Sequence, residues 1–228
     1  MHVQQILFSQ GFGTRHECTG MLVNGQVSLG DRVLDDPFEE LDTEGLVLHV
    51  NGVPWPFYDK AVVLLHKPAG YECSMKPKHH PSVMSLLPGP LRVRGLQPVG
   101  RLDEDTTGLL LLTDDGALIH KWTHPKRKLP KVYDVTLKHP MDEEARQKLL
   151  AGVVLDDDPE PVVASAAELL TPTLLRLTIT SGRYHQVKRM VAAVSNRCEG
   201  LHRSGFGKLG VPPDLKPGGG VWVEPSAV

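Results

Sequence analysis

The chain has 228 residues, of which 40% are hydrophobic and 23% are charged. This composition, together with the lack of any apolar run approaching ~18 to 20 residues, excludes the membrane-spanning and disordered classes. Lys and Arg number 25 against 27 Asp and Glu, so the net charge of −2 does not by itself indicate a nucleic-acid-binding protein.

Residues 1–58 are predicted to form a small separate module. The pattern predicts a helix over residues 4–12 that ends at Gly13, and a second helix from Thr14 to about residue 22. A tight turn at residues 24–25 then leads into a strand over residues 26–29. Turn residues and prolines at 51–56 place the domain boundary near residue 58.

The remaining residues, 59–228, are predicted to form a larger domain in which strands predominate. The predicted strands cover residues 61–66, 97–102, 108–113, 131–138 and 174–180, and the predicted helices cover 142–151 and 184–195. In the second helix Val187, Met190, Val191 and Val194 share one face, and Asn196 is expected to be its C-cap. The pattern indicates an α+β fold built on a mostly antiparallel sheet.

Charge is distributed unevenly between these two parts. Residues 1–60 contain three basic and nine acidic residues, a net charge of −6, so the rest of the chain carries +4. Residues 116–133 contain five lysines and arginines and no acid. This basic strip is suited to follow a phosphate backbone, although a solvated loop would have the same composition.

The densest chemical signal is the segment from Gly100 to Gly116, Gly-Arg-Leu-Asp-Glu-Asp-Thr-Thr-Gly-Leu-Leu-Leu-Leu-Thr-Asp-Asp-Gly. It places Asp103 just past a predicted strand, in a loop whose threonine hydroxyls can hydrogen-bond the local backbone. Loops carried by rigid strands often hold catalytic groups. An aspartate in a turn is also commonplace, so the pattern alone leaves a purely structural role open.

This segment resembles the central motif of the ribosomal RNA pseudouridine synthases, and further motifs follow in that family's order. His66-Lys67-Pro68-Ala69-Gly70-Tyr71 resembles its Asn-Lys-Pro-x-Gly-Tyr turn, with His in place of Asn, and residues 131–133 resemble its Lys-x-Tyr strand. Residues 182–190, Gly-Arg-Tyr-His-Gln-Val-Lys-Arg-Met, resemble its third motif in the form typical of the enzymes that modify small-subunit (16S) rRNA. Residues 1–58 are more weakly similar to the alpha-L-type RNA-binding module of these enzymes.

The resemblance implies that Asp103 is the catalytic carboxylate, acting as nucleophile or as initiating base on a uridine. It also implies that Lys188 pairs with this carboxylate and that Tyr133 stacks on the target base, although Tyr133 could equally be a core residue of a sheet. On the outward face of the last helix we expect His185 and Arg189. The residues expected to contact RNA are Arg15, Arg101, Lys126, Arg127, Lys128, Arg183, His185 and Arg189.

The predicted protein is therefore a cofactor-free, monomeric, cytoplasmic enzyme whose partner is 16S rRNA or an assembling small-subunit particle. Three widely separated cysteines and the lack of a visible signal-peptide pattern agree with this location. No metal site is expected, because His120 and His124 lack a third ligand, and the acidic run 156–158 is interpreted as a solvated loop. The alternatives are a large-subunit (23S) synthase, a non-catalytic rRNA-binding assembly factor, and a metal-dependent phosphotransferase using Asp103 and Asp105.

Overall fold

A computed structural model describes residues 1–228, which divide into two compact units. The first unit comprises residues 1–61 and 87–97, and the second comprises residues 62–86 and 98–228. Residues 87–97, which the sequence places in the second domain, belong to the first unit because Arg94 donates hydrogen bonds to Gln10 Oε1 at 2.9 Å and to the Tyr58 carbonyl at 2.8 Å. No helix is both long enough and apolar enough to span a membrane.

The first unit packs short helices against a four-stranded antiparallel sheet with the order β2-β1-β3-β4. Its elements are α1 (Val3–Ser9), α2 (Arg15–Val23), β1 (Val27–Leu29), β2 (Arg32–Val33), β3 (Val47–Val50), β4 (Val53–Pro56) and α3 (Gly89–Val93). The first helix ends earlier than predicted, and Gly11, with φ of +89°, follows it in a conformation that favours glycine. The second begins as predicted, because Thr14 and Glu17 form a reciprocal capping box.

The second unit is built on one large sheet with helices and turns around it. Its strands are β5 (Val62–Lys67), β6 (Gln97–Pro98, where the chain enters this unit), β7 (Thr107–Thr113), β8 (Lys131–Leu137), β9 (Val153–Leu155), β10 (Asp158–Val162), β11 (Ala166–Thr171), β12 (Leu174–Ile179), β13 (Cys198–Phe206), β14 (Leu209–Gly210) and β15 (Gly220–Trp222). Its helices are α4 (Gly116–Thr123), α5 (Glu143–Ala151) and α6 (Gln186–Ala193), with 3₁₀ turns at Val83–Leu86, Pro125–Arg127 and Pro225–Ala227.

The main path of the large sheet has the strand order β11-β12-β8-β13-β7-β5-β15, and β9 and β10 form a separate hairpin. Only β7 and β13 pair in parallel along this path; the other neighbours are antiparallel. The predicted α+β class with a mostly antiparallel sheet is thus confirmed. The predicted alternation of β8 is also present, with Tyr133, Val135 and Leu137 buried on one face.

Two predicted elements differ in the structure. The strand predicted over residues 97–102 is limited to Gln97–Pro98, because Gly100 has φ of +73° and turns the chain into the loop that carries Asp103. The last helix begins at Gln186 rather than at residue 184, because His185 has φ of +47°. Its C-cap is Val194 rather than Asn196, whose side chain instead bonds the backbone of His139.

The parallel pairing of β7 with β13 requires a glycine at position 108. A Cβ atom there would lie 2.2 Å from the Arg203 carbonyl oxygen, and Gly108 has φ of +109°. We predict that Gly108→Ala lowers the free energy of unfolding by roughly 3 kcal/mol or more, since both backbone strain and a backbone clash result. Urea denaturation followed by circular dichroism measures this change. The matched control is Gly116→Ala, where an added Cβ meets no atom within 4 Å; an equal loss in both variants would contradict the prediction.

Candidate active site

A cavity of about 530 Å³ in the second unit contains the predicted catalytic carboxylate. Its walls come from the loop after β6, the turn before β8, and the turn before α6, and its floor comes from the large sheet. Asp103, Tyr133 and Lys188 all line it. The structure therefore brings together the three residues predicted to act in catalysis, although they lie up to 85 positions apart in the sequence.

Two basic side chains contact the Asp103 carboxylate. Lys188 Nζ lies 3.0 Å from Asp103 Oδ2, and His185 Nε2 lies 3.2 Å from Oδ1. Lys188 Nζ also lies 2.7 Å from Asp105 Oδ1. Burial acts to lower the pKa of Lys188, but its hydrogen bonds to Asp105 and Asp103 raise that pKa overall, so the ammonium group stays charged. The implied ion pair between Lys188 and Asp103 is present, and Lys188 additionally bridges two carboxylates.

The backbone of this loop is held from below by a buried ammonium group. Lys67, at the end of β5, is fully buried, and its Nζ donates hydrogen bonds to the carbonyl oxygens of Pro68, Glu104 and Thr106 at 3.0, 2.9 and 2.7 Å. Burial lowers the pKa of Lys67, and nearby acidic groups partly oppose this shift. This role of Lys67 was not predicted; its signal in the sequence is a lysine at the end of an apolar strand.

His185 is exposed, as predicted, but its imidazole also contacts Asp103, which was not predicted. Its left-handed backbone conformation directs the imidazole to Asp103, and its ring stacks on that of Tyr184 with centroids 3.8 Å apart. The buried Gln186 side chain accepts a hydrogen bond from the Arg183 backbone N–H at 2.9 Å and pairs with the Ser181 hydroxyl. This turn fixes the imidazole beside the carboxylate.

Arg183 and Arg189 are bound to the acidic run that was interpreted as a solvated loop. Arg183 pairs with Asp158 in the β9–β10 hairpin, and Arg189 pairs with Asp157. Arg189 also donates to the Tyr184 carbonyl at 2.9 Å. Asp156 and Asp157 are exposed, as expected for a solvated loop, but Asp157 and Asp158 also neutralise two guanidinium groups near the cavity, which was not predicted.

The other predicted RNA contacts are exposed. Arg101 and Lys128 line the cavity, and Lys126 and Arg127 lie in the exposed 3₁₀ turn at Pro125–Arg127. Arg15 belongs to the first unit, where its guanidinium lies over the Phe8 ring at 5.4 Å. The structure contains no group of three or more His, Cys, Asp or Glu side chains arranged to hold a metal ion.

Comparison with known proteins identifies the family. The model of the RNA pseudouridylate synthase family matches residues 61–193, more than half of the chain. The chain belongs to the RNA pseudouridylate synthase family. This confirms the resemblance and the predicted enzyme class, and the matched segment of this pseudouridine synthase contains Asp103, Tyr133 and Lys188.

Relatives agree with the predicted subgroup. The ribosomal small subunit pseudouridine synthase A of Escherichia coli (strain K12) is 44% identical over 155 residues, which cover 68% of this chain and 67% of that protein. The alignment with the Yersinia pestis protein of the same name covers 66% of that protein. The Vibrio cholerae protein of the same name is 36% identical, over 90% of this chain and 88% of that protein. A solved pseudouridylate synthase is 31% identical, with a TM-score of 0.69, over 99% of this chain and 97% of its own.

Removing the ammonium group of Lys67 should destabilise this pseudouridine synthase. Lys67→Met keeps most of the side-chain volume but leaves three carbonyl groups without their donor, so we predict a loss of about 3 kcal/mol in the free energy of unfolding. Chemical denaturation measures it, with Lys138→Met, an exposed lysine of the same unit, as the control. A loss no larger than that of the control would show that the carbonyls find other donors.

Proposed function

We propose that this protein converts a specific uridine of 16S rRNA to pseudouridine, using the Asp103 carboxylate and no cofactor. The observation that carries the proposal is the carboxylate of Asp103 beside Lys188 Nζ in a cavity that also contains Tyr133. The names of the relatives support small-subunit rRNA as the substrate. The runner-up is a uridine of 23S rRNA.

Asp103 acts on the ribose of the target uridine. The reaction breaks the bond between N1 of uracil and C1′ of ribose and later forms a bond between C5 and C1′, so substrate and product are isomers. The carboxylate supports this either as a nucleophile at C1′ or as the base that removes a proton from the sugar. Both roles require an ionised carboxylate, and Lys188 Nζ lies 3.0 Å from Asp103 Oδ2.

Tyr133 supplies an aromatic wall for the uracil ring. The residue is 8% exposed and lines the cavity, so its ring is available on the cavity side only. A uridine within folded RNA must leave its stack to reach Asp103, and stacking on an aromatic ring returns ~1 to 3 kcal/mol of that cost.

RNA outside the target nucleotide is held by the exposed cations. Arg101, Lys126, Arg127 and Lys128 surround one side of the cavity and contact phosphates, and Arg15 contributes from the alpha-L-type module at residues 1–58. Arg183 and Arg189 bind phosphates only when a phosphate displaces Asp158 from Arg183 or Asp157 from Arg189. His185 acts on Asp103 rather than on phosphate. The proposed site residues all come from one chain, which supports a monomer, and an rRNA substrate supports a cytoplasmic location.

Two other functions fit the site less well. A non-catalytic assembly factor would not need an ion-paired carboxylate inside a cavity. A metal-dependent phosphotransferase would need Asp103 and Asp105 free to bind a cation, whereas Lys188 Nζ lies within 3.0 Å of both carboxylates. The ammonium group thus occupies the place that the metal would take.

The deciding experiment incubates the protein with 16S rRNA, with and without ribosomal proteins, and maps pseudouridine chemically. We predict that Asp103→Asn abolishes product while RNA affinity changes less than about threefold, because the amide keeps the shape and removes the charge. Pseudouridine formed by a clean preparation of this variant would refute the role of Asp103. Wild-type product found only in 23S rRNA would favour the runner-up.

Replacing Lys188 should impair catalysis strongly. In Lys188→Met both Asp103 and Asp105 lose their ammonium partner, and breaking a buried pair costs ~3 to 5 kcal/mol, with the lower end appropriate for this partly exposed site. We expect at least a 100-fold loss in the single-turnover rate. Lys188→Arg is the control and should retain more activity. Wild-type activity of Lys188→Met at neutral pH would contradict the prediction.

The exposed cations are tested by salt dependence. We predict that replacing Lys126, Arg127 and Lys128 together by Ala weakens rRNA binding and flattens the slope of log K against log salt by about two units, since each phosphate contact contributes roughly 0.7 to 0.9. Filter binding at several salt concentrations measures the slope. The control replaces three exposed basic residues of the same unit that do not line the cavity: Lys138, Lys148 and Arg197. Equal slopes for the two triple variants would place the phosphate contacts elsewhere.

A further inference from the structure

The floor of the cavity contains a buried cation that nothing in the chain neutralises. Arg203, on β13, is 2% exposed and lines the cavity. Its Nε donates to the Leu109 carbonyl at 2.8 Å, but its Nη2 is buried without any hydrogen-bond partner. An unsatisfied charged donor is costly in a protein interior, so its presence in a side chain that lines a cavity points to a ligand that completes it.

A second cation lies beside it. Lys131, at the start of β8, also lines the cavity, and its Nζ has only a long contact of 3.5 Å with the Leu129 carbonyl. Burial lowers the pKa of Lys131, and the charge of Arg203 lowers it further. Neither side chain pairs with a carboxylate, in contrast to Lys188, Arg183 and Arg189. The floor is therefore built for an anion.

The surroundings of Arg203 and Lys131 favour a nucleobase over a phosphate as the group that carries the negative charge. Arg203 and Tyr133 are directly paired across β13 and β8, and the Arg203 guanidinium lies 5.2 Å from the centroid of the buried Phe206 ring. The floor thus combines aromatic rings with an unsatisfied donor. Phosphates of an intact RNA strand are bulky and strongly hydrated, and the cavity rim already offers them the exposed Arg101 and Lys128.

We propose that Arg203 is a catalytic residue whose guanidinium group donates a hydrogen bond to a carbonyl oxygen of the target uracil and stabilises the negative charge of the detached base. The proposal rests on the proposed function. When the N1–C1′ bond breaks, its electron pair stays with uracil, and the negative charge spreads to N1 and the two carbonyl oxygens. The base turns, the C5–C1′ bond forms, and the proton from C5 is transferred to N1, so the charge lasts only while the base is free.

A donor fixed in place before the charge develops favours bond cleavage more than substrate binding. Arg203 meets this condition because its Nε is bonded to the backbone of β7 and its neighbours are rigid strands. Lys131 adds a positive field on the same side. Loss of one such preorganised donor lowers turnover by about 100- to 1000-fold in known cases.

The test compares Arg203→Gln and Arg203→Lys with Arg176→Gln, a control in the same sheet whose arginine pairs with Asp134 outside the cavity. Single-turnover rates, RNA affinity and thermal midpoints are measured for each. We expect Arg203→Gln to lose at least 100-fold in rate with less than a threefold change in affinity, while the control keeps the wild-type rate. An Arg203→Gln rate within tenfold of wild type, or a loss explained by its unfolded fraction, overturns the proposal.

A second measurement uses the wild-type enzyme, so it remains valid if the variants fold poorly. The target uridine is replaced by 2-thiouridine or 4-thiouridine, because sulfur accepts hydrogen bonds weakly. One of the two should slow the reaction of the wild-type enzyme at least tenfold. If neither slows it, the proposal is overturned. A wild-type enzyme that forms no pseudouridine in 16S or 23S rRNA overturns the proposed function together with this role, whereas active wild type with an equally active Arg203→Gln overturns this role alone.

Discussion

The site depends on one buried ammonium group. Lys67 Nζ bonds three carbonyl oxygens, two of them in the loop that follows Asp103, and so ties the end of β5 to that loop. A short loop with three acidic residues would otherwise repel itself and move. With its backbone fixed, the Asp103 side chain lies where Lys188 and His185 reach it from α6 and the preceding turn. Lys67 does not line the cavity, yet its charge fixes the backbone of the loop that carries Asp103.

The nearly neutral chain is compatible with an RNA substrate because its charges are arranged locally. Acidic residues predominate in the first 60 positions, while the second unit has a net positive charge and places the exposed Arg101 and Lys128 at the cavity. Near α6 the chain supplies its own anions, and Asp157 and Asp158 occupy Arg189 and Arg183. A phosphate entering there replaces a carboxylate instead of binding a free cation. The net gain at these two arginines is therefore smaller than a charge count suggests.

Elements with local signals were predictable, and those determined by tertiary contacts were not. Asp142 and Gly152 mark the ends of α5 in the sequence, and the alternation of β8 identifies its buried face. Strand β13 was missed because two register shifts against β8 interrupt its alternation. That omission also concealed Arg203, which becomes a site residue only through pairing with Tyr133. The contact of His185 with Asp103 was not predicted, because a helical wheel assumes helical angles that the left-handed backbone of His185 does not have.

The cations around the cavity differ in the partner that each has in the free protein. This difference distinguishes the cations suited to RNA binding from the cation suited to catalysis. Arg183 and Arg189 are neutralised in the free protein, so an exchange of partners changes their energy little. Arg203 is desolvated and lacks a partner at Nη2, so the protein accepts that cost on folding. An anion that forms next to Arg203 during the reaction offsets this desolvation cost. The uncharged uridine offsets less of this desolvation cost than the detached uracil anion does. The unsatisfied guanidinium therefore stabilises the intermediate more than the bound uridine. This difference is the condition for accelerating the chemical step.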